Sequence, residues 1–376
     1  MRLLYICDAL AVYGGLERVL IEKANWLEKQ EDYEVCLLTV NQGEHPVSFP
    51  LHPDAQFEDL GIQFHQQYQL PLWKRVVRNR QLHRLFRERL AYKIQEKASD
   101  VIICTRLDYI RDVISVKGDK PLVFESHSLC LASHFEGDGL LRRLHIRYLQ
   151  LAVRKAAMTV ALTQGDADEW RKLTPRVCVI PNVVHLNDSG LYSDCTAKSA
   201  IFVGRFSKQK DVGSLLRIWT LVRERFPDWC LHIYGGYGEE QDSIFAKIKQ
   251  MDANIQVHEA TSNMMEKYRE SSILLMTSSY EPFGLVLPEA MSCGLPVVAF
   301  DCPYGPADII TDGVNGFIIK NWDKAQFANC VCQLIEDENK RVEIGKAGIL
   351  LSQRYLADYI MPQWIKLFKM IIGDSK

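Results

Sequence analysis

The sequence has few of the features that mark secreted, zinc-binding or membrane-spanning proteins. Its eleven cysteines are odd in number and include no C-x-x-C pair, a pattern that fits neither a zinc site nor a disulfide framework. No run of about eighteen uninterrupted apolar residues occurs, so no membrane-spanning helix is predicted. Low-complexity segments and internal repeats are also absent. Scattered free cysteines are typical of a reducing compartment.

Charge is nearly balanced, with 45 lysines and arginines against 47 aspartates and glutamates and a net charge of −2. Overall charge therefore does not indicate a nucleic-acid partner. The chain begins Met-Arg-Leu-Leu-Tyr-Ile-Cys-Asp, and so short an apolar run predicts a first β-strand rather than a signal peptide. We therefore predict a cytoplasmic protein.

Short apolar runs alternate with longer amphipathic stretches along all 376 residues. This alternation predicts βαβ units and mostly parallel sheets. One series of strands ends at 177–180 and a second begins at 200–203. Between them, residues 185–198 are polar and without periodicity, as in a linker.

The predicted fold is therefore α/β, with two Rossmann-like, doubly wound domains. We place a first domain at 1–182 and a second at 183–354. A last amphipathic helix within 355–376 is predicted to break near Pro362. Open α/β sheets bind ligands beyond the carboxyl ends of their strands, so we expect a central cleft lined by those ends.

The most informative segment is EPFGLVLPEAMSCGLPVV, which follows a predicted strand at 273–277. A helix is expected to open near Gly284, and its N-terminus would suit a diphosphate. Glu281 lies before this helix and Glu289 about two turns into it. One carboxylate would reach a sugar hydroxyl and the other a ribose. The alternative is that Glu281 caps the helix and Glu289 is solvated.

A second segment places cations at a strand end. Gly204, Arg205 and Lys210 follow the predicted strand at 200–203 on one loop. Two cations there would neutralise a leaving diphosphate. The alternative is a solvated basic turn.

Three further segments also stand at strand ends. They are the glycine-rich loop with Gly235 and Gly236, the pair Gly14 and Gly15, and His127 in Glu-Ser-His-Ser. Each alone is a weak signal, since tight turns and structural histidines are common. Together they indicate a nucleotide site, because unrelated turns would not all fall at the carboxyl ends of strands.

These segments resemble the retaining glycosyltransferases of the GT-B fold, of the family-4 type. The resemblance spans nearly the whole chain and is densest from 200 to 316. The family's E-x7-E signature is matched by Glu281 and Glu289, and its cationic loop by Arg205 and Lys210. The segment from Asp301 resembles a subset that builds bacterial surface polysaccharides such as lipopolysaccharide and capsule.

The resemblance implies a role for each residue. Arg205 and Lys210 would hold the donor diphosphate, Glu281 the sugar hydroxyls and Glu289 the ribose, and His127 would lie by the reaction centre. Backbone of the remaining donor-binding positions would contact the donor: Gly14, Gly15, Gly204, Gly235, Gly236, Phe283, Gly284 and Leu285.

The implied reaction transfers a hexose or N-acetylhexosamine from a UDP-sugar, with retention of the anomeric configuration. The acceptor would be a glycan or a lipid-linked glycan. No metal or other cofactor is expected. The resemblance also makes 1–182 the acceptor-side domain and 183–354 the donor-side domain. In such folds the final helix crosses back to the first domain.

Three alternatives use a similar two-domain scaffold. A sugar-nucleotide epimerase would need no acceptor, and a phosphorylase would need a lysine that carries a cofactor. A non-catalytic two-lobed binding protein would have no use for converging Arg205, Lys210 and Glu281.

Residues 72–93 carry eight lysines and arginines against one acid, Glu88. On a helix, Val77, Leu82, Leu85 and Phe86 would share one apolar side. Such a helix predicts peripheral contact with an anionic membrane at its inner face. The alternative is that the apolar side packs on the first sheet and the arginines are solvated.

Overall fold

The computed structural model describes residues 1–131, 139–235, 237–251 and 254–373. These residues form two units. Unit 1 contains Met1–Val183 together with the chain from Ala357 onward, and unit 2 contains Val184–Leu356. Each unit has its own parallel sheet, so the predicted α/β fold with two Rossmann-like domains is confirmed.

In the described part of unit 1 the sheet has seven strands in the order β3-β2-β1-β4-β5-β6-β7. Its strands are β1 Arg2–Cys7, β2 Glu34–Thr39, β3 Gln56–Asp59, β4 Val101–Cys104, β5 Leu122–Glu125, β6 Met158–Ala161 and β7 Val177–Val179. Its flanking helices are α1 Gly15–Glu28, α2 Leu72–Glu96, α3 Ile110–Val116, α4 Leu140–Ala152 and α5 Gln164–Arg171.

In the described part of unit 2 the sheet has six strands in the order β10-β9-β8-β11-β12-β13. Its strands are β8 Ser199–Gly204, β9 Cys230–Gly235, β10 Ile255–Glu259, β11 Ile273–Met276, β12 Val297–Phe300 and β13 Gly316–Ile319. Its helices are α6 Val212–Arg225, α7 Gln241–Gln250, α8 Met264–Arg269, α9 Val286–Ser292, α10 Gly305–Ile309, α11 Lys324–Glu336 and α12 Glu338–Ser352.

The central strands of both sheets are covered on both faces, and therefore nearly every residue along them is apolar. All residues of β4, β11 and β12 are buried. The strand order reverses between β1 and β4 in unit 1 and between β8 and β11 in unit 2. Ligands of doubly wound sheets bind at such reversal points, outside the carboxyl ends of the strands.

The final helix, α13 Ala357–Gly373, packs on α1 in unit 1. The predicted break near Pro362 is wrong, because the helix runs through this proline. A proline inside a helix removes one backbone hydrogen bond. Here the burial of Trp364, Leu367 and Phe368 offsets that loss.

The segment expected to be a linker, residues 185–198, forms no helix or strand. It is nevertheless held on unit 2 rather than free. Ser193 N donates to the Cys293 carbonyl at 2.8 Å, and the buried Arg341 donates through Nε and Nη2 to the Cys195 carbonyl at 3.1 and 3.0 Å. Polar composition thus predicted the absence of regular structure but not the packing.

Candidate functional site

In unit 2, the loops after β8 and β11 bring Lys210 and Glu281 together. Lys210 Nζ donates to Glu281 Oε1, and Ser278 Oγ donates to the same oxygen at 2.7 Å. The Lys210 side chain is 16% exposed and that of Glu281 6%. A lysine and a glutamate 71 residues apart in sequence therefore form one ion pair at the point where the strand order reverses.

The backbone of Glu281 is fixed by the segment after β12. Glu281 N donates to the Pro303 carbonyl at 2.7 Å, and the amides of Tyr304 and Gly305 both donate to the Glu281 carbonyl at 3.0 Å. A Cβ on Gly305 would lie 2.0 Å from the Phe283 carbonyl oxygen, so only glycine allows this approach. The segment from Asp301 thus supports the position of Glu281.

Lys210 is held by backbone contacts on both sides. Thr277 Oγ1 donates to the carbonyls of Lys210 and Asp211 at 3.1 Å. Asp211 caps α6 by accepting from Ser214 N at 3.0 Å. The loop that carries Lys210 is therefore tied to the end of β11 at one side and to a helix start at the other.

The side chain of Arg205 is exposed and forms no hydrogen bond or ion pair with any of the described residues, while its backbone carbonyl accepts from Ser207 N at 3.0 Å. Its loop is joined to the loop after β9, since Phe206 N donates to the Tyr237 carbonyl at 3.0 Å. A Cβ on Gly235 would lie 2.3 Å from the Gly204 carbonyl oxygen, and one on Gly238 would lie 2.1 Å from that of Phe206. These two glycines let the loops meet backbone to backbone and so position Arg205; Gly236 lies outside the described residues.

The E-x7-E segment differs in detail from the expectation. Gly284 has φ +94, a left-handed value that a helix does not accommodate, so α9 begins at Val286 rather than near Gly284. Glu289 is therefore in the first turn and not two turns in. Tyr268 donates its hydroxyl to Glu289 Oε2 at 3.1 Å.

The side chains beside Gly284 are mainly structural. Phe283 is buried and packs edge-on against Tyr355, with 5.3 Å between the ring centroids. Leu285 precedes α9 and is partly buried. Any contact of Phe283 with a donor would therefore be made by its backbone, as the resemblance implies.

In unit 1, His127 follows β5 beside a buried ion pair. Lys23 Nζ lies 2.6 Å from Glu125 Oε1, both side chains are only 1% exposed, and His127 Nε2 lies 3.0 Å from the same oxygen. The ring of Trp364 on α13 covers the ammonium at 3.5 Å from its centroid. Burial alone would raise the pKa of Glu125, but Lys23 and His127 outweigh it and lower the pKa to about 2.

A second buried carboxyl anchors the loop that carries His127. Asp166 Oδ1 accepts from Cys130 N at 2.7 Å, and Oδ2 accepts from Trp170 Nε1 at 3.1 Å. Burial raises the pKa of Asp166 to about 7. Asp166-Ala-Asp168 is an Asp-x-Asp pair whose second carboxylate is bound to Arg171 at 2.5 Å.

Gly14 and Gly15 lie at the start of α1, after β1. Gly14 has φ −109, an ordinary extended value. A Cβ there would meet only the flexible carboxylate of Glu17, at 2.4 Å. The fold itself therefore does not demand glycine at 14, in contrast to Gly235 and Gly238.

The basic helix α2 has two different halves. Its second half packs on the sheet through Leu82, Phe86 and Leu90, all buried. In its first half Trp73 and Val76 are exposed. Val77 was expected on the packed side, but it is half-exposed because the first turns project beyond the core.

Sequence reasoning missed several residues that support the site. Lys23 falls on the apolar stripe of α1 with Leu20 and Leu27, and this spacing was a usable signal. Ser278 directly follows a strand end, beside Glu281. Tyr268 carried no signal, because its contact with Glu289 depends on the packing of α8 against α9.

Known proteins share this architecture. A model named Glycosyl transferases group 1 matches residues 192–350, and one named Glycosyltransferase Family 4 matches residues 13–188. The amylovoran biosynthesis glycosyltransferase AmsD of Erwinia amylovora is 28% identical over 389 residues, which cover 96% of this chain and 98% of that protein. The structure of Anabaena HepE in complex with UDP and glucose superposes with a TM-score of 0.74 at 19% identity, covering 98% of this chain and all of that one.

The chain belongs to the GT-B glycosyltransferases. The lipopolysaccharide 1,6-galactosyltransferase of Escherichia coli K12 is also 28% identical to this glycosyltransferase, over 74% of the chain and 76% of that protein. The resemblance to enzymes of bacterial surface-polysaccharide synthesis is thereby confirmed. No helix among residues 1–131, 139–235, 237–251 and 254–373 is both long and apolar enough to cross a membrane.

Proposed function

We propose that this glycosyltransferase moves a hexose or N-acetylhexosamine from a UDP-sugar to a glycan or lipid-linked glycan, with retention of configuration. The observation that carries the proposal is the Lys210–Glu281 pair, with the exposed side chain of Arg205 on the same loop as Lys210. The two cations, Lys210 and Arg205, would stabilise the leaving diphosphate, where negative charge develops in the transition state. Support for UDP comes from HepE, whose structure contains UDP and glucose.

Within this proposal each carboxylate has its own task. Glu281 accepts a hydrogen bond from a hydroxyl of the donor sugar, and the Lys210 ammonium then binds the diphosphate. Glu289, which is held in place by a hydrogen bond from the Tyr268 hydroxyl, accepts hydrogen bonds from the ribose hydroxyls. For His127, whose Nε2 lies 3.0 Å from Glu125 Oε1, the role by the reaction centre rests on the resemblance alone.

The direct test is a panel of UDP- and GDP-sugars, measured first by thermal shift and then by hydrolysis. A ligand that binds only the folded state raises the melting temperature with its concentration. We expect one UDP-sugar to stabilise the protein and to be hydrolysed slowly. If GDP-sugars alone stabilise it, the base is assigned wrongly; if no nucleotide-sugar does, the proposed function is wrong.

We also propose that the transfer needs no metal ion, because Arg205 and Lys210 supply the positive charge at the diphosphate. Turnover should therefore persist in EDTA. Complete loss on chelation, restored by Mg²⁺ or Mn²⁺, would contradict this part of the proposal.

An epimerase on the same scaffold is the second candidate, since it too would bind a nucleotide-sugar. It would convert the donor sugar without any acceptor, whereas a transferase would release UDP and a free or transferred sugar. Analysis of the nucleotide-sugar after incubation without acceptor separates the two. A binding protein would leave the nucleotide-sugar unchanged.

We further propose that unit 1 rests on anionic lipid at the inner face of the membrane. On α4, Leu141, Leu144 and Leu151 follow helical spacing and are 84%, 57% and 43% exposed. On α2, Trp73 is 70% exposed next to Lys74, and Arg78 is also exposed. Exposed apolar side chains among cations match the chemistry of an anionic bilayer surface.

Sedimentation with vesicles tests this surface. We expect binding to anionic but not neutral vesicles at low ionic strength, with release at high salt. Trp73→Gln with Lys74→Gln and Arg78→Gln should abolish it. Arg87 is left intact, because it pairs with Asp112 at 2.7 Å. Lys247→Gln with Lys249→Gln, on α7, is the matched control; wild-type protein that stays in the supernatant would contradict the membrane proposal.

A further inference from the structure

Unit 1 contains a cavity of about 1000 Å³ that the donor site does not use. It opens at the carboxyl ends of β1, β2 and β4, where Asp8, Asn41 and Arg106 line it. This is the reversal point of the sheet, the usual place for a ligand in a doubly wound fold. Its volume is that of a site for a small organic molecule.

The cavity has more cationic than anionic side chains. Four arginines line it against three aspartates. Asp112 is occupied by His83 and Arg87, at 2.6 and 2.7 Å. Asp8 forms no ion pair within the part of the chain that the structure describes; its Oδ1 accepts from Asn41 Nδ2 at 2.6 Å and from the Tyr109 hydroxyl.

The remaining arginines have donors to spare. Arg106 pairs with Asp108 through Nη2 at 3.2 Å, while its buried Nε has no partner. The side chain of Arg80 forms no ion pair or hydrogen bond with the described residues, and among them the Arg111 guanidinium contacts the Tyr148 ring, at 3.9 Å from its centroid. Guanidinium groups with free N–H donors suit phosphate and carboxylate groups.

Aromatic rings and a carboxylate oxygen that can accept from hydroxyl groups also line the cavity. Phe64 and Tyr148 provide ring faces, and Asp8 Oδ2 is an acceptor without a partner in the described residues. A sugar offers both an apolar ring face and hydroxyl donors. The cavity therefore combines groups for a sugar with groups for an anion.

We propose that this cavity binds the acceptor, and that the acceptor carries an anionic group, a phosphate ester or a carboxylate, held by Arg80, Arg106 and Arg111. The inference rests on the proposed function, because it assumes that a second substrate binds on unit 1. Asp8 and Asn41 then contact the hydroxyls of the sugar that bears the anion.

Calorimetric titration of the full-length protein tests the cavity directly. Excess UDP is added first to occupy a donor site, and inorganic diphosphate, glucuronate or neutral glucose is then titrated. Binding of diphosphate identifies a phosphate group, and binding of glucuronate identifies an acidic sugar. Glucose should bind more weakly than either anion.

Arg80→Gln with Arg111→Gln should weaken anion binding at least about tenfold, because each lost charged hydrogen bond contributes that much. Arg84→Gln, an exposed arginine of the same helix outside the cavity, is the matched control and should bind as wild type. Absence of binding for both anions, or undiminished binding in the double variant, would overturn the inference. If UDP itself fails to bind, the proposed function is contradicted, but the anion titration still reports on the cavity.

Discussion

Each unit places a lysine–glutamate pair at the carboxyl ends of its strands, and the two pairs have different surroundings. Lys23–Glu125 in unit 1 is 1% exposed on both sides and is covered by Trp364. Lys210–Glu281 in unit 2 is reached by solvent through the lysine, and that lysine shares its loop with the exposed Arg205. The same chemical pair is thus sealed from solvent in unit 1 and reached by solvent in unit 2.

The largest effect is expected from breaking the sealed pair. Glu125→Gln leaves the Lys23 ammonium buried without its counterion, and such a loss costs about 3–5 kcal/mol of unfolding free energy. Urea unfolding should show this loss. Lys23→Met with Glu125→Leu should recover most of the stability, since well-packed apolar residues replace buried pairs with little cost.

The double variant also separates structure from function in unit 1. It should remain folded but turn over slowly, because His127 loses the carboxylate that lies 3.0 Å from its Nε2. Wild-type turnover in the recovered double variant would show that the pair serves only stability.

The second-largest effect is expected from removing the positive charge of Arg205, which shares a loop with Lys210. Arg205→Ala should lower kcat about 10²–10³-fold, as expected when one positioned electrostatic contact to the leaving group is removed. Its melting temperature should not change, because the side chain is exposed and unpartnered. Lys208→Ala, an exposed lysine of the same loop, is the control; equal rates for both variants would remove Arg205 from the site.

Replacing a glycine with alanine is expected to have different effects on stability in the two units. Gly238→Ala should cost about 1–3 kcal/mol through backbone strain, because its Cβ would lie 2.1 Å from the Phe206 carbonyl oxygen at φ +155. Gly14→Ala should leave stability nearly unchanged. If Gly14→Ala nevertheless weakens donor binding, its glycine serves the ligand; thermal unfolding and nucleotide titration of both variants decide this.

A smaller effect concerns pH and the loop of His127. Asp166 has its pKa raised to about 7 by burial, so the folded state binds a proton that the unfolded state has already lost above about pH 4. Stability should therefore fall as pH rises from about 4 to 7, by at most about 1.4 kcal/mol per pH unit. Asp166→Asn should flatten this slope in urea unfolding; an unchanged slope would mean that Asp166 ionises normally.

The sequence predicted what depends on local pattern. Alternating apolar runs predicted both parallel sheets, and strand-end motifs predicted where Arg205, Lys210 and Glu281 lie. It did not predict β3, because Gln56–Asp59 has no apolar run. The continuity of α13 through Pro362 and the close approach at Gly305 both arise from tertiary packing, which no local pattern encodes.

The roles of the site residues are the central claim, and Glu281 tests them most directly. Glu281→Gln removes the carboxylate that would bind the donor sugar and also frees Lys210 for the diphosphate. Affinities of this variant for UDP and for the preferred UDP-sugar should be measured side by side by calorimetry. We expect the variant to bind UDP as tightly as wild type or more tightly, and to bind the UDP-sugar about tenfold more weakly or worse. Equal weakening of both ligands would contradict this expectation.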